Sequence, residues 1–184
     1  VEIGAGAFVG TSLTEVNLLN VKKIESNAFA VIPTLKKIVI GEKLKEIQNE
    51  AFYGNKNIES ILFADSITKV EDNAFRKCSN LKQVIFGENS QLEHIEYCVF
   101  CDTAISEFFA PQKLRVIERA VFVDCVNLTT IYFPKSLEKV ENDAFRGCRR
   151  LSNLYIDDLA SYCNIKFEYD ASPTPFIKNL YVNG

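Results

Sequence analysis

Cysteine, histidine and carboxylate side chains are the groups of this chain whose types and spacing could support chemistry. Cys98 and Cys101 have the Cys-x-x-Cys spacing of thiol redox and zinc sites. His94 is the only histidine and lies four residues before Cys98, where a thiol–imidazole pair could form. However, Phe100 occupies a core position of the repeat described below, and no second Cys or His pair follows at a matching spacing. The pattern therefore predicts neither a metal nor a cofactor, and it favours an exposed His94.

Three further cysteines occupy one repeated position. Cys78, Cys125 and Cys148 each follow a recurring phenylalanine by three residues, so they should stack in one column. Buried free thiols suit such a column, because cysteine packs as a small hydrophobic residue. A Cys125–Cys148 disulfide between adjacent units is the alternative.

Glutamates also recur at one position, as Glu25, Glu71, Glu96, Glu118 and Glu141. Lysines run beside them at 23, 69 and 139, and these should relieve the repulsion between the carboxylates. We interpret both columns as a solvated face rather than a catalytic pair. Because Gly-rich phosphate loops, Gly-x-Ser-x-Gly and His-x-x-x-His are absent from the sequence, it predicts no enzyme.

These columns follow from an internal repeat of 21 to 25 residues. Its marker is Ala-Phe or Val-Phe, with the phenylalanine at 8, 29, 52, 75, 100, 122 and 145. Aliphatic residues precede and follow each marker at nearly constant distances, and the length varies at only two places per unit. Those two places must be turns, because a one-residue slip would move a strand's apolar face into solvent.

Each unit predicts a strand, a turn, a second short extended piece and a helical turn. Ile38-Val39-Ile40 shows the alternation of a strand, and Ser26, Asn49 and Asp72 could cap the helical turns. Stacked units give an α/β solenoid with a curved parallel β-sheet and short helical turns. We predict about seven repeats over residues 1–156. Residues 157–184 form a degenerate C-terminal unit with a short helix, a loop insertion and a final strand, after which Asn183-Gly184 is a turn signal.

Composition narrows the range of partners. The net charge of −3 gives no reason to expect nucleic acid, and no apolar run reaches the length of a membrane span. The first residues lack the pattern of a secretion signal, and the chain contains no methionine. We therefore expect it to be a segment of a longer or processed protein.

The residue between the last two core positions of each strand should point away from the core. Down the array, this column forms an apolar-to-aromatic stripe, the outer stripe: Val39, Leu62, Ile85, Phe109, Tyr132, Tyr155 and Tyr181. A contiguous stripe of this kind on a concave surface is typical of a partner site. The alternative is that β-branched and aromatic residues merely stabilise the sheet.

Two segments carry a resemblance to a known family: Val70-Glu-Asp-Asn-Ala-Phe-Arg-Lys-Cys-Ser-Asn-Leu-Lys-Gln-Val-Ile-Phe86 and Phe133-Pro-Lys-Ser-Leu-Glu-Lys-Val-Glu-Asn-Asp-Ala-Phe-Arg-Gly-Cys148. They resemble the BspA-type leucine-rich repeat. The resemblance implies a cell-surface or secreted recognition or adhesion module that binds a protein, such as one on a host or neighbouring cell. A structural spacer and a carbohydrate-binding module are the alternatives.

Overall fold

A computed structural model describes residues 1–183, whose backbone winds as a parallel β-solenoid of about eight turns. Each turn contributes one short strand to an eight-stranded sheet, the short-strand sheet. Its members are β1 (Glu2–Ile3), β3 (Lys23–Ile24), β5 (Glu46–Ile47), β7 (Lys69–Val70), β9 (His94–Ile95), β11 (Val116–Ile117), β13 (Lys139–Val140) and β15 (Lys166–Phe167). The predicted second extended piece of each unit is thereby confirmed.

Each turn also contributes a longer strand, as the alternation of apolar residues predicts. These are β2 (Glu15–Leu18), β4 (Lys37–Ile40), β6 (Ser60–Phe63), β8 (Gln83–Phe86), β10 (Glu107–Phe109), β12 (Thr130–Phe133), β14 (Asn153–Ile156) and β16 (Asn179–Val182). They pair in parallel in three groups, β2–β4, β6–β8 and β10–β12–β14–β16, rather than in one sheet. The break between β8 and β10 coincides with the longest link of the array, which runs from Phe86 to Leu92.

The recurring phenylalanines form one row through the interior. Adjacent rings from Phe8 to Phe145 are stacked with centroids 5.1 to 6.1 Å apart, and every ring except Phe8 is almost fully buried. This phenylalanine row confirms that equivalent positions of successive units coincide in space. Stacked aromatic pairs stabilise the row beyond the burial of their area.

The segments around the phenylalanines are not helical turns, and here the prediction is wrong. Two residues four apart have positive φ in most units, for example Asn27 (59°) and Val31 (54°). This alternation turns every second backbone N–H towards the next unit, so that Phe29 N donates to Ala51 O at 2.8 Å. Because those N–H groups bond between units, the segment cannot continue into a helix.

The C-terminal unit keeps the solenoid register. The predicted short helix is α1 (Leu159–Cys163), which begins after Asp158, whose side chain accepts a hydrogen bond from Ser161 N. A 3-10 turn (Thr174–Phe176) lies in the predicted loop, and β16 pairs with β14. The division into residues 1–156 and 157–184 stays a prediction. The predicted turn at Asn183-Gly184 includes Gly184, which lies outside the described residues.

Candidate functional site

The outer stripe lies on the longer strands, on the side opposite the core. Leu62 is 60%, Ile85 47%, Phe109 51% and Tyr181 42% exposed, whereas Val39 and Tyr155 are half-buried. Strand pairing places neighbouring members directly beside each other, as with Leu62 and Ile85 or Tyr155 and Tyr181. The rings of Tyr155 and Tyr181 stack with centroids 4.3 Å apart. Four of the seven predicted members are thus exposed and two are partly exposed, and the role of the stripe in binding stays a prediction.

Tyr132 departs from the expected exposure, because only 8% of it is accessible. On the two flanking strands, the rings of Phe109 and Tyr155 approach to 6.4 Å, so they close over it. The Tyr132 hydroxyl donates to Asp157 Oδ1 at 2.7 Å and accepts from Gln112 Nε2 at 2.7 Å. Burial, followed by the hydrogen bond to Asp157, raises the pKa of this phenol to about 12. Tyr132 is therefore a fixed neutral support under the stripe.

A groove of about 350 Å³ opens beside this aromatic end of the stripe. The rings of Phe109, Tyr132 and Tyr155 form one part of it, and the remainder comes from the loops after β8 and β10 together with Asn183. Gln112 and Asp157 hold the buried ring in place, yet neither was among the predicted site residues. Their only sequence signal is that both closely follow a strand end, where adjacent turns of a solenoid meet.

A ladder of amides and a hydroxyl runs along the stripe. Asn179 Nδ2 donates to Asn153 Oδ1 at 2.8 Å, and Asn153 Nδ2 donates to Thr130 Oγ1 at 3.3 Å. These side chains satisfy each other across three strands while part of each amide stays accessible. The result is a polar border on which a partner's backbone could form hydrogen bonds.

The cysteine column consists of buried free thiols, as the sequence favours. Cys78, Cys125 and Cys148 each donate from Sγ to the carbonyl oxygen of the preceding unit's phenylalanine, at 3.3, 3.0 and 3.1 Å. Burial raises the pKa of the Cys78 and Cys125 thiols to about 12 and that of Cys148 higher still. The alternative Cys125–Cys148 disulfide is therefore wrong.

Cys98 and Cys101 instead form a disulfide, which the sequence did not predict. Cys98 has a φ of 56°, and Cys101 N donates to Cys98 O in a tight turn that brings the two Cα atoms within 5.0 Å. Both cysteines are buried against Ala120 and Val123. The Cys-x-x-Cys spacing was the one sign of a disulfide in the sequence. The left-handed turn at Cys98 that brings the two sulfur atoms together could not be predicted from it.

Thiol titration distinguishes these cysteines. With Ellman's reagent, we expect one reactive thiol in the native protein, because only Cys163 is both free and exposed. Urea should raise the count to four, the number of free cysteines, and prior reduction should raise it to six. Two or fewer thiols in urea would show that the column is bridged after all.

The column of glutamates is neutralised as predicted, with one exception. Lys69 bridges Glu71 and Glu96 at 3.0 and 3.2 Å, and Lys139 bridges Glu141 and Glu168 at 2.7 Å each. Glu118 has no such cation, since the lysine position of its unit is Val116.

Glu118 also lacks a backbone donor that equivalent carboxylates have. Glu71 Oε2 accepts from Asn49 N at 3.1 Å, but the corresponding donor for Glu118, Tyr97 N, donates to Asp72 Oδ1. The pKa of Glu118 is raised to about 7, chiefly because the carboxyl group is partly buried. The negative charges of Glu96, Glu141 and Asp72 raise it further.

This raised pKa makes stability depend on pH. The folded state binds the Glu118 proton more tightly than the unfolded state, so this contribution is complete below pH 4.5 and is lost as pH rises through 7. Val116→Lys should place an ammonium between Glu118 and Glu141, as Lys69 and Lys139 do in their units. We expect the substitution to raise the free energy of unfolding by about 1 kcal/mol more at pH 8, where Glu118 is ionised, than at pH 5. The difference is this small because solvent screens the partly exposed carboxylate.

Urea unfolding at both pH values measures this difference. Glu118→Gln is the control, because it removes the titration without adding a cation. The same pH dependence in all three proteins would show that Glu118 is not responsible.

His94 is exposed on β9 and forms no side-chain hydrogen bond within residues 1–183. Over the same residues, His, Cys, Asp and Glu side chains do not gather in threes that could hold a metal ion. A helix long and apolar enough to cross a bilayer is likewise absent from the described part of the chain.

The fold is shared with bacterial leucine-rich repeat proteins of known structure. A protein from Eubacterium ventriosum is 22% identical, with a TM-score of 0.74 over 92% of this chain and 44% of its own. The T. pallidum leucine-rich repeat protein is 24% identical, with a TM-score of 0.72 over 77% of this chain and 68% of its own. A leucine-rich cell surface protein from Faecalibacterium prausnitzii is 21% identical, with a TM-score of 0.68 over 89% of this chain and 53% of its own.

This chain thus spans less than half of the Eubacterium protein, and at these identities the likeness concerns the fold alone. No curated protein sequence matches the chain. The model of the BspA type leucine-rich repeat region matches in six copies, over residues 1–128 and 93–171. Repeats of this kind suggest a protein-interaction module and are generally non-enzymatic. Because the match extends over most of the sequence, the chain belongs to the BspA-type leucine-rich repeat family.

Proposed function

We propose that this chain is a recognition or adhesion module that binds a protein partner through the outer stripe. The observation that carries the proposal is the exposure of large apolar side chains on successive strands whose opposite faces pack into the core. Leu62, Ile85 and Phe109 are each about half exposed, whereas the buried residues on the core side of the same strands are at most 8% exposed: Ile61, Phe63, Val84 and Phe108. Contiguous apolar surface of this kind is typical of an interaction site.

Rigidity supports the same proposal. The aromatic end rests on Tyr132, whose hydroxyl is fixed by Gln112 and Asp157, and Tyr155 is stacked on Tyr181. A partner would therefore meet side chains that lose little conformational freedom on binding. Tyrosine and phenylalanine bring large contact areas with few rotatable bonds, which is why aromatic residues concentrate at binding hot spots.

A cell-surface or secreted location accompanies this proposal. Its support is the membership of the BspA-type family and the description of the Faecalibacterium protein as a cell surface protein. We therefore propose a protein of a host or neighbouring cell as the partner. The structural spacer remains the alternative function.

Substitution of three exposed aromatic residues tests the site. Phe109, Tyr155 and Tyr181 are replaced together by serine, while Tyr132 is retained because it is buried. Binding to cultured host cells and to a panel of purified matrix proteins should fall at least tenfold, since each lost hot-spot side chain costs about 1 kcal/mol or more. The thermal midpoint should change by only a few degrees, because the core is untouched.

The matched control replaces Val31, Val126 and Tyr169, which are exposed elsewhere, by serine. It should bind as the unsubstituted protein does. Equal binding by all three proteins would exclude the stripe as the site. If the unsubstituted protein binds neither the cells nor the panel, the spacer becomes the better explanation.

A further inference from the structure

A second concave surface lies away from the outer stripe, at the turns that connect the phenylalanine row to the longer strands. This basic cleft has a volume of about 620 Å³ and is lined by Thr129, Arg149, Arg150, Leu151, Ser152, Pro175, Phe176 and Lys178. Its size lies within the range of ligand pockets. The proposed protein-binding function assigns nothing to it.

The charge of the basic cleft is opposite to that of the chain. Three cations and no carboxylate line it, whereas the whole sequence has a net charge of −3. Within residues 1–183, none of the three forms a salt bridge, although lysines and arginines elsewhere pair with carboxylates in ten contacts. Arg150 has one weak contact, to Asn127 Oδ1 at 3.5 Å. Unneutralised cations around one cavity attract an anion.

Backbone hydrogen bonds fix the main chain from which these exposed side chains extend. Arg149 and Arg150 occupy a turn in which Arg149 N donates to Gly147 O at 2.8 Å and Leu151 N donates to Cys148 O at 3.1 Å. Lys178 lies one turn of the solenoid further on, and its N donates to Ser152 O at 2.8 Å. The three cationic side chains therefore start from fixed points on two adjacent turns.

The residues that line the basic cleft indicate which class of anion it could bind. Guanidinium groups match the oxygens of carboxylate, phosphate and sulfate groups alike in paired hydrogen bonds, so the cations call for an anion without selecting among these three. Phe176 is 44% exposed and, with Pro175, forms an apolar wall beside the cations. An aromatic ring next to charged donors suits a sugar ring that bears an acidic group, because the apolar face of the sugar can pack on the ring.

A neighbouring cavity on the other side of Pro175 and Phe176 has the opposite character. It is lined by Asp143, Glu168 and Asp170, with Arg146 as its one cation. An anionic ligand would be repelled there and attracted into the basic cleft. An acidic ligand in contact with Pro175 and Phe176 should therefore lie in the basic cleft and not in the acidic cavity.

We propose that the basic cleft binds an acidic saccharide, with sulfate or carboxylate groups on Arg149, Arg150 and Lys178 and a sugar face on Phe176. A heparin-derived hexasaccharide is the probe, and titration calorimetry at 50 and 300 mM NaCl is the measurement. We expect measurable binding that weakens with salt. Arg149→Gln with Arg150→Gln and Lys178→Gln should weaken it at least tenfold.

The matched control replaces Lys22, Lys36 and Lys56 by glutamine, which changes the net charge equally at exposed lysines without salt bridges. It should weaken binding less than threefold. Equal loss in both triple variants, or no binding by the unsubstituted protein, would overturn the proposal.

Further ligands separate the saccharide from other anions. Phe176→Ser should weaken hexasaccharide binding at least threefold and leave the binding of inorganic sulfate unchanged. A neutral hexasaccharide should not bind, and hyaluronan hexasaccharide tests carboxylate groups without sulfate. An unaltered affinity in Phe176→Ser, or tighter binding of a phosphoserine peptide than of either acidic saccharide, would refute the assignment to a saccharide.

Discussion

Replacing Phe75 by alanine is expected to lower the free energy of unfolding by about 3–5 kcal/mol. Phe75 is fully buried in the middle of the phenylalanine row. Its ring stacks on Phe52 at 5.3 Å and on Phe100 at 6.1 Å, and it meets Phe63 edge-on at 5.6 Å. Alanine would leave a cavity between three rings that belong to different turns of the solenoid, and the stacked backbone cannot collapse to fill it.

Urea unfolding followed by circular dichroism measures this cost, since the chain has no tryptophan to report on unfolding. Phe8→Ala is the matched control. Phe8 is the first ring of the row, is 37% exposed and stacks only on Phe29. We expect the control to cost about 1 kcal/mol, because much of the ring is already in water. Similar costs at the two positions would contradict the view that contacts between units stabilise the array.

The phenylalanine row and the strands could be predicted because they depend on spacing alone. A repeated core position must meet its counterpart in the next unit, or the apolar residues of a whole strand would face water. Phe29, Phe52 and Phe75 therefore specify the stacking without any knowledge of the turns. The same logic identified the column of buried thiols.

The turn conformation could not be predicted, because residues other than glycine adopt positive φ in it. Lys77, Cys98 and Ala120 take the left-handed conformation, and their residue types give no signal of it. Caps such as Ser26 therefore suggested helical turns. The resulting hydrogen bonds between units, and the Cys98–Cys101 disulfide, follow from this backbone rather than from the periodicity.

The candidate site was predicted as a column of equivalent positions. The exposure of each member depends on its neighbours from other turns, which the repeat pattern does not reveal. Tyr132 and Tyr155 occupy equivalent positions, but Tyr132 is buried because the rings of Phe109 and Tyr155 close over it. Gln112 and Asp157, from two other turns, hold its hydroxyl. The basic cleft was not predicted either. Arg149 and Lys178 are far apart in sequence, and only the solenoid brings them to one cavity.

Asn55 occupies the position that Cys78, Cys125 and Cys148 occupy in other units, and it is fully buried. Its Nδ2 donates to Phe29 O at 2.8 Å and to Phe52 O at 2.9 Å, and its Oδ1 accepts from Ile32 N at 2.8 Å. One side chain therefore satisfies three backbone groups of two successive turns. Phe52 O also receives the Cys78 thiol, whereas Phe29 O and Ile32 N depend on Asn55.

Asn55→Leu is therefore expected to lower the free energy of unfolding by about 4 kcal/mol, since two buried backbone groups lose their partners at about 1–3 kcal/mol each. Asn55→Cys is the matched control, because a thiol here can donate to Phe29 O as Cys78 donates to Phe52 O. It should cost about 1 kcal/mol, because the thiol sulfur is a weaker acceptor for the Ile32 N–H than the amide oxygen, as at Cys78, where the Asn55 N–H meets the sulfur. Urea unfolding of the three proteins measures both values. Equal costs for leucine and cysteine would mean that packing volume, and not the donor to the phenylalanine carbonyl, determines which residues this column accepts.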